Sequence, residues 1–221
     1  MHERLFARRP LGAIVSTPVV VLGIDPGLTR CGLGLVRGPA AEPVLVHQAC
    51  VRTRADQPLE QRLLAVHDAI GEAIAAHRPD AVAVERVLFS SNVRTAMATG
   101  QAAGVALLAA ARAGVPVTSY SPSDVKLTVA GAGDADKDAV ARLVTAQLRL
   151  AEVPRPADVA DALAVALTHL ARARLAAAAA GTPAATRVQE AVAAAERGGR
   201  GGWERHLADR GLLPDGAGRR R

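Results

Sequence analysis

Between residues 18 and 36 the chain reads PVVVLGIDPGLTRCGLGLV, and few arrangements accommodate that stretch. Residues 19–24 are apolar, rich in β-branched side chains and too few for a helix, so they predict a buried strand. Asp25 stands at the end of that strand. Pro26-Gly27 then turns the chain, and the alternation over residues 31–36 predicts the second arm of a hairpin. A carboxylate at the carboxyl end of a central strand, beside a tight turn, is where an α/β sheet holds a metal ion or a phosphate. The plain alternative is an Asp that caps a common Asp-Pro-Gly turn.

The remaining elements follow in order. VLVHQACVRT (44–53) predicts a third strand, and Asp56 is expected to cap a helix over about 58–77. Pro58 lies near its first turn, where a missing N–H costs least. Leu59, Leu63, Val66, Ile70 and Ile74 form one apolar stripe on it. AVAVE (81–85) is a short buried strand that ends on Glu85. Ser91 or Asn92 caps the next helix, roughly 93–113, whose small residues Ala96, Gly100, Ala103 and Gly104 suit close packing against a sheet or a twin helix. A fifth strand is expected over 115–120. Ser121-Pro122-Ser123 caps a short helix carrying Lys126, and a second helix over 135–150 carries Lys137 in its first turn. The last helix runs from about 157 to 179. Three hairpin-type strands, then two strands alternating with helices, predict an α/β domain: a mixed five-stranded sheet with helices on both faces.

Charge narrows the organisation. The net charge is +6, but residues 19–175 hold 16 basic and 15 acidic side chains, so the excess lies in the tails. Residues 1–18 read as a flexible extension, 19–179 as one domain, and 180–221 as a disordered basic tail rich in Ala, Gly and Arg. Trp203, isolated in that tail, has no evident role. Only two lysines occur, Lys126 and Lys137, against 25 arginines. Cys31 and Cys50 are the only cysteines, which provides no disulfide framework or zinc pattern and suits a reducing cytoplasm. The apolar run near the start is interrupted by Pro18 and lacks a cleavage site, and no stretch approaches the ~20 apolar residues of a membrane helix.

Four carboxylates carry the chemistry. If the strands ending on Asp25 and Glu85 are parallel neighbours, their backbones lie ~4.8 Å apart. Asp158 and Asp161, spaced i, i+3 at the start of the last helix, face the same way, although acids are common in first turns for structural reasons alone. Four negative groups converging on one rim repel unless cations sit between them. All-oxygen ligands suit Mg²⁺ or Mn²⁺ rather than zinc. Two such ions ~3.5–4 Å apart clamp a phosphodiester, so the implied reaction is metal-assisted phosphodiester hydrolysis.

GIDPGLTRCGLGLV, AVERVLFSSN, GQAAGVAL, SDVKLTVAGAGDADKDAV and PADVADALAVALTH, in that order and spacing, resemble the RuvC family of Holliday-junction endonucleases over about residues 19–171. The resemblance implies a ribonuclease-H-like fold and a homodimer that binds a four-way DNA junction and nicks two strands symmetrically. It assigns the catalytic, Mg²⁺-binding carboxylates to Asp25, Glu85, Asp158 and Asp161, with about two ions per site. The family's functional lysines correspond to Lys126 and Lys137. RuvA and RuvB, the branch-migration proteins, are the implied partners. Where the family often has an aromatic three residues after the Glu, this chain has Leu88, with Phe89 next. One of the two is expected at the junction centre, with Arg94 as a further DNA contact. Ala103 replaces an Arg of the family's GQARG block, which implies one phosphate contact fewer. His169, about 12 Å along the last helix from Asp161, reads as structural.

Three other readings compete. An ATP-binding module of the actin and sugar-kinase type needs a second phosphate loop and a second half-domain, which the chain lacks, so no nucleotide is expected. A related nuclease acting on ribosomal RNA precursors would lack the DxxDALA block. A catalytically silent DNA-binding protein would not retain all four carboxylates.

Overall fold

The computed structural model describes residues 19–86 and 92–179. The expectations for the extension, for Leu88 and Phe89, and for the basic tail lie outside the described residues. The chain divides into two compact units, Met1–Arg174 and Leu175–Arg221, and the sheet and site below belong to the first.

The hairpin is β1 (Val20–Asp25) and β2 (Arg30–Arg37), extended antiparallel by β3 (Val44–Arg52). On the other side β1 pairs in parallel with β4 (Ala81–Glu85), which pairs in parallel with β5 (Val117–Tyr120). The order β3-β2-β1-β4-β5 is the mixed five-stranded sheet that the sequence predicts. Parallel pairing requires crossovers, supplied by α1 (Leu59–His77) and α2 (Val93–Arg112). α3 (Pro122–Ala130), α4 (Lys137–Gln147) and α5 (Ala157–Ala179) complete the chain's described elements.

Alternation along the strands sends side chains to two separate cores. Leu22, Ile24, Leu33, Leu35, Val82 and Val84 pack against α1 and α2. Val21, Val36, Ala83 and Tyr120 pack against α3, α4 and α5 on the opposite face. The two cysteines divide the same way, Cys31 in the first core and Cys50 against the second, and both are free.

Several local expectations need correction. Asp56 does not cap α1: its carboxylate pairs with Arg54, and Pro58 takes the cap position without a side-chain bond. The fifth strand starts at Val117, after Pro116, which has no N–H to donate. α4 begins after its cap Asp136 and ends by Leu148, ahead of Arg149 in the left-handed region (φ 52°). On α2 the buried face is Ala102, Ala106, Ala109 and Ala110, while Gly100 and Gly104 are exposed. The glycine face therefore does not pack on the sheet.

α5 lies unusually close to the hairpin. A Cβ on Gly23 would stand 2.0 Å from the Ala162 carbonyl oxygen, and one on Gly32 only 1.8 Å from that of Asp158. The helix rests on bare strand backbone at these points, which brings its first turn to the end of β1.

Candidate active site

Parallel pairing registers Ile24 with Val84, so Asp25 and Glu85, each one residue further on, emerge side by side. α5, seated on the glycines of the hairpin, adds Asp158 and Asp161 from its first turns. Three remote segments thus converge at one rim of the sheet. The electrostatics record the crowding. Asp25 is pushed up to about 8, first by burial and then by the charges of Glu85, Asp161 and Asp158. Glu85 is also raised, by burial and then by Asp161, although its hydrogen bond with Asp25 and the charge of Lys137 oppose the rise. A proton on Asp25, donated to Glu85, is the arrangement these directions describe.

The other two acids are held by cations. Lys137, at the first turn of α4, donates from Nζ to Asp161 Oδ2 at 3.1 Å. Its ammonium is held above the usual lysine range, chiefly by Asp161. Arg30 Nε stands 3.0 Å from Asp158 Oδ2. Its N–H does not aim at that oxygen, which is buried and accepts no hydrogen bond from the described residues. Among the described residues no three His, Cys, Asp or Glu are drawn into a ready-made metal cage. Each carboxylate is occupied by a partner within the protein or is left unsatisfied.

Lys126 is set by α3. Ser121 and Asp124 form a reciprocal capping box at the start of that helix. Lys126 and Lys137 line one cleft with Glu85, Asp161, Pro122, Val125 and Val140. Arg172 of α5 reaches Asp124 at 2.6 Å and lies over the Tyr120 ring, 5.4 Å from its centroid. The Tyr120 hydroxyl in turn bonds His169 Nδ1 at 3.0 Å. Burial holds the His169 imidazole below its ordinary range, and its contact is with Tyr120, within the packing between β5 and α5. The turn after Asp25 is tied from α1, where Arg62 donates to Thr53 and Thr29 and the Thr53 hydroxyl donates to the Leu28 carbonyl. Arg94 is exposed in the first turn of α2.

Arg30, Arg62 and Arg172 were not distinguished by sequence reasoning. Among 25 arginines an individual one carries no signal, and only the position of Arg30 at the mouth of the hairpin could have singled it out.

The donor set fits divalent ions. It is all-oxygen, it includes a buried carboxylate oxygen with no hydrogen bond, and its charge is so concentrated that one member holds a proton near neutral pH. Asp25, Glu85, Asp158 and Asp161 would hold them.

Comparison with known proteins places this geometry. Residues 21–169 match the family described as "Crossover junction endodeoxyribonuclease RuvC". The crossover junction endodeoxyribonuclease RuvC of Salinispora arenicola is 56% identical over 164 residues, 72% of this chain and 94% of that protein. The one of Streptomyces coelicolor is 51% identical over 174 residues, 78% of this chain and 88% of its own. RuvC of Thermus thermophilus, solved in complex with a Holliday junction substrate, superposes with a TM-score of 0.69 at 44% identity, covering 72% of this chain and 97% of that one. A yeast mitochondrial Holliday junction resolvase shares the fold at 14% identity, with a TM-score of 0.54 and coverage of 77% of this chain and 86% of that one. The chain belongs to the RuvC family of crossover junction endodeoxyribonucleases.

Proposed function

We propose that this protein is a divalent-metal-dependent endodeoxyribonuclease that resolves four-way DNA junctions by symmetric paired nicks, in homologous recombination and repair. The observation that carries the reading is the convergence of Asp25, Glu85, Asp158 and Asp161 from three segments of the chain. The likeness to a relative solved on a Holliday junction supports the substrate. Mg²⁺ is the fitting ion, two per site, with Mn²⁺ as a substitute. When bound, the ions supply Lewis acidity toward the attacking water and the leaving oxygen.

The chain's own residues do the rest. Asp25 and Glu85, both held above the usual carboxylate range, would give up the proton between them to become anionic ligands when a divalent ion binds. Lys137 places its charge beside Asp161, where negative charge grows on the phosphate in the transition state. Lys126, across the same cleft, holds a backbone phosphate and so fixes register. Leu88 or Phe89 contacts the junction centre, and Arg94 adds a further DNA contact. The test is a synthetic four-way junction set against linear duplex, in Mg²⁺ or EDTA. Paired nicks at symmetric positions should occur only on the junction and only in Mg²⁺. Nicking that survives EDTA, or that ignores junction structure, contradicts the reading.

Symmetric cleavage needs two centres, and α2 offers the surface to pair them. Val93, Met97, Leu107 and Leu108 are 67%, 62%, 42% and 54% exposed. With the open Gly100 and Gly104 they form one stripe opposite the buried alanines of that helix. Glycines in an apolar stripe let a twin helix approach closely, which supports α2 as the contact of the proposed homodimer. Met97→Glu should elute as a monomer in size-exclusion chromatography with light scattering, and its nicks should appear one strand at a time. A Met97→Glu dimer would move the interface elsewhere. Partnership with RuvA and RuvB, in the cytoplasm, completes the proposal. No helix among the described residues is long and apolar enough to cross a membrane.

The raised Asp25 has a thermodynamic consequence. Its folded-state value, about 8, lies above its ordinary 3.8. The proton therefore stabilises the folded protein at low pH, and that contribution drains away as pH climbs from about 4 to about 8. Divalent ions replace the lost proton. Mn²⁺ should raise the melting temperature by roughly 3–6 °C more near pH 8.5 than near pH 6, and Asp25→Asn should abolish that difference. Equal shifts at both pH values in the unmodified protein would refute the coupling.

A further inference from the structure

The acid cluster carries an asymmetry between its two cations. Lys137 donates a directed hydrogen bond to Asp161. Arg30 sits just as close to Asp158, at 3.0 Å, with no N–H aimed at the oxygen it neutralises. Such a contact is attraction without a directional bond, the weaker form of the pair. The exposures differ in the same sense. The Arg30 side chain is 57% exposed and that of Asp158 only 19%. The guanidinium can return to water at small cost, whereas the carboxylate stays in its pocket and needs a positive partner there.

What surrounds Arg30 also matters. It opens β2, and its cross-strand neighbour on β3 is Arg52, so two like charges lie opposite each other on the sheet. Like charges directly opposite are destabilising, which biases Arg30 away from Arg52 and toward Asp158. Asp158 in turn adds its charge to that felt by Asp25. A cation that neutralises Asp158 therefore eases the whole cluster while no ion is bound.

We propose that Arg30 is a displaceable counter-ion occupying the ligand position of Asp158, which must swing away before a divalent ion takes that oxygen. It is a positioning residue that sets how tightly the DNA-free protein holds metal. The inference rests on the functional reading only for treating this cluster as the metal site.

Mn²⁺ binding to the full-length, DNA-free protein, followed by the electron paramagnetic resonance of the free ion, tests it. Arg30→Gln removes the charge and should bind Mn²⁺ roughly three- to tenfold more tightly than the unmodified protein. Arg30→Lys keeps the charge and should stay close to the unmodified value. In an Asp158→Asn background, Arg30→Gln should bring no gain, because the contested oxygen is gone. Circular dichroism melts, read alongside, establish that each variant is folded; Arg30→Gln, which leaves the buried Asp158 oxygen without its cation, should melt lower than Arg30→Lys when Mn²⁺ is absent. Unchanged or weaker Mn²⁺ binding by Arg30→Gln overturns the inference. So does a gain that persists with Asp158→Asn, which would mean a diffuse charge effect rather than competition for one oxygen. Absence of Mn²⁺ binding by all variants into the millimolar range also overturns it, while junction nicking by the unmodified protein would leave the functional reading intact. The expected Mn²⁺ pattern without any junction nicking sustains the counter-ion and removes the nuclease.

Discussion

Asp25→Asn is expected to bind a four-way junction about as well as the unmodified protein and to nick it at least about a thousandfold more slowly. The substitution keeps size and shape but cannot ionise, so it removes the anionic oxygen that Asp25 would present to the ions. The expected loss corresponds to about 4 kcal/mol of transition-state stabilisation. Lys126, which we propose holds a backbone phosphate, is untouched, so affinity measured by gel shift should hold. Because Asp25 is itself held against burial and three neighbouring charges, its neutral replacement should also melt higher in the absence of metal above pH 8. A protein that is more stable and inert would trace the defect to chemistry rather than folding. Nicking in Mg²⁺ within tenfold of normal would remove Asp25 from the reaction.

Gly32→Ala should be the most damaging single methyl group in the described chain. Its Cβ would stand 1.8 Å from the Asp158 carbonyl oxygen and 2.5 Å from the carbonyl carbon, and backbone has no rotamer by which to yield. α5 must lift, which opens the core around Val159 and Leu163 and carries Asp158 and Asp161 away from β1. Overpacking of a tight core costs about 1–3 kcal/mol and occasionally more, and a clash with backbone belongs at the upper end. A fall in melting temperature of roughly 10 °C is expected, with nicking lost even where the protein remains folded. Gly71→Ala is the control: in α1 its Cβ meets nothing within 4 Å, so the change should be neutral or stabilise by up to about 1 kcal/mol. If Gly32→Ala melts like Gly71→Ala, the close seating of α5 is wrong.

These two residues mark what the sequence could and could not reveal. Asp25 was legible because a strand-length apolar run ending on an acid has few meanings. Glu85 shares that signature, and the i, i+3 spacing placed Asp158 and Asp161 on one helical face. Parallel pairing of β1 with β4 is enough to set Asp25 beside Glu85, whereas the approach of Asp158 and Asp161 depends on α5 seating on the hairpin glycines. Gly32 was not legible. A glycine within a strand reads as a weakness or a bulge, and only the helix above it reveals the close approach. The same limit applied to Gly100 and Gly104, whose spacing announced a packing face without saying which partner it meets. Asp56 misled for a local reason, since Arg54, two residues away, offers its carboxylate a charged partner that the helix N-terminus could not match. Arg172 acts on a residue 48 positions away and Arg30 on one in the last helix, from the opposite end of the domain, and no local pattern announces such pairs.

The grip of Arg172 on Asp124 has a mechanical side. Asp124 is held down to about 2 by Ser121 and Arg172, so the link stays charged at every pH above strong acid. It joins the helix bearing Lys126 to the helix bearing Asp158 and Asp161. Lys126 is therefore mounted on a strut rather than a swinging arm: if it holds a DNA strand as we propose, a pull on its ammonium would be passed through that link to the helix that carries the acids, and the span between them would be preserved under load.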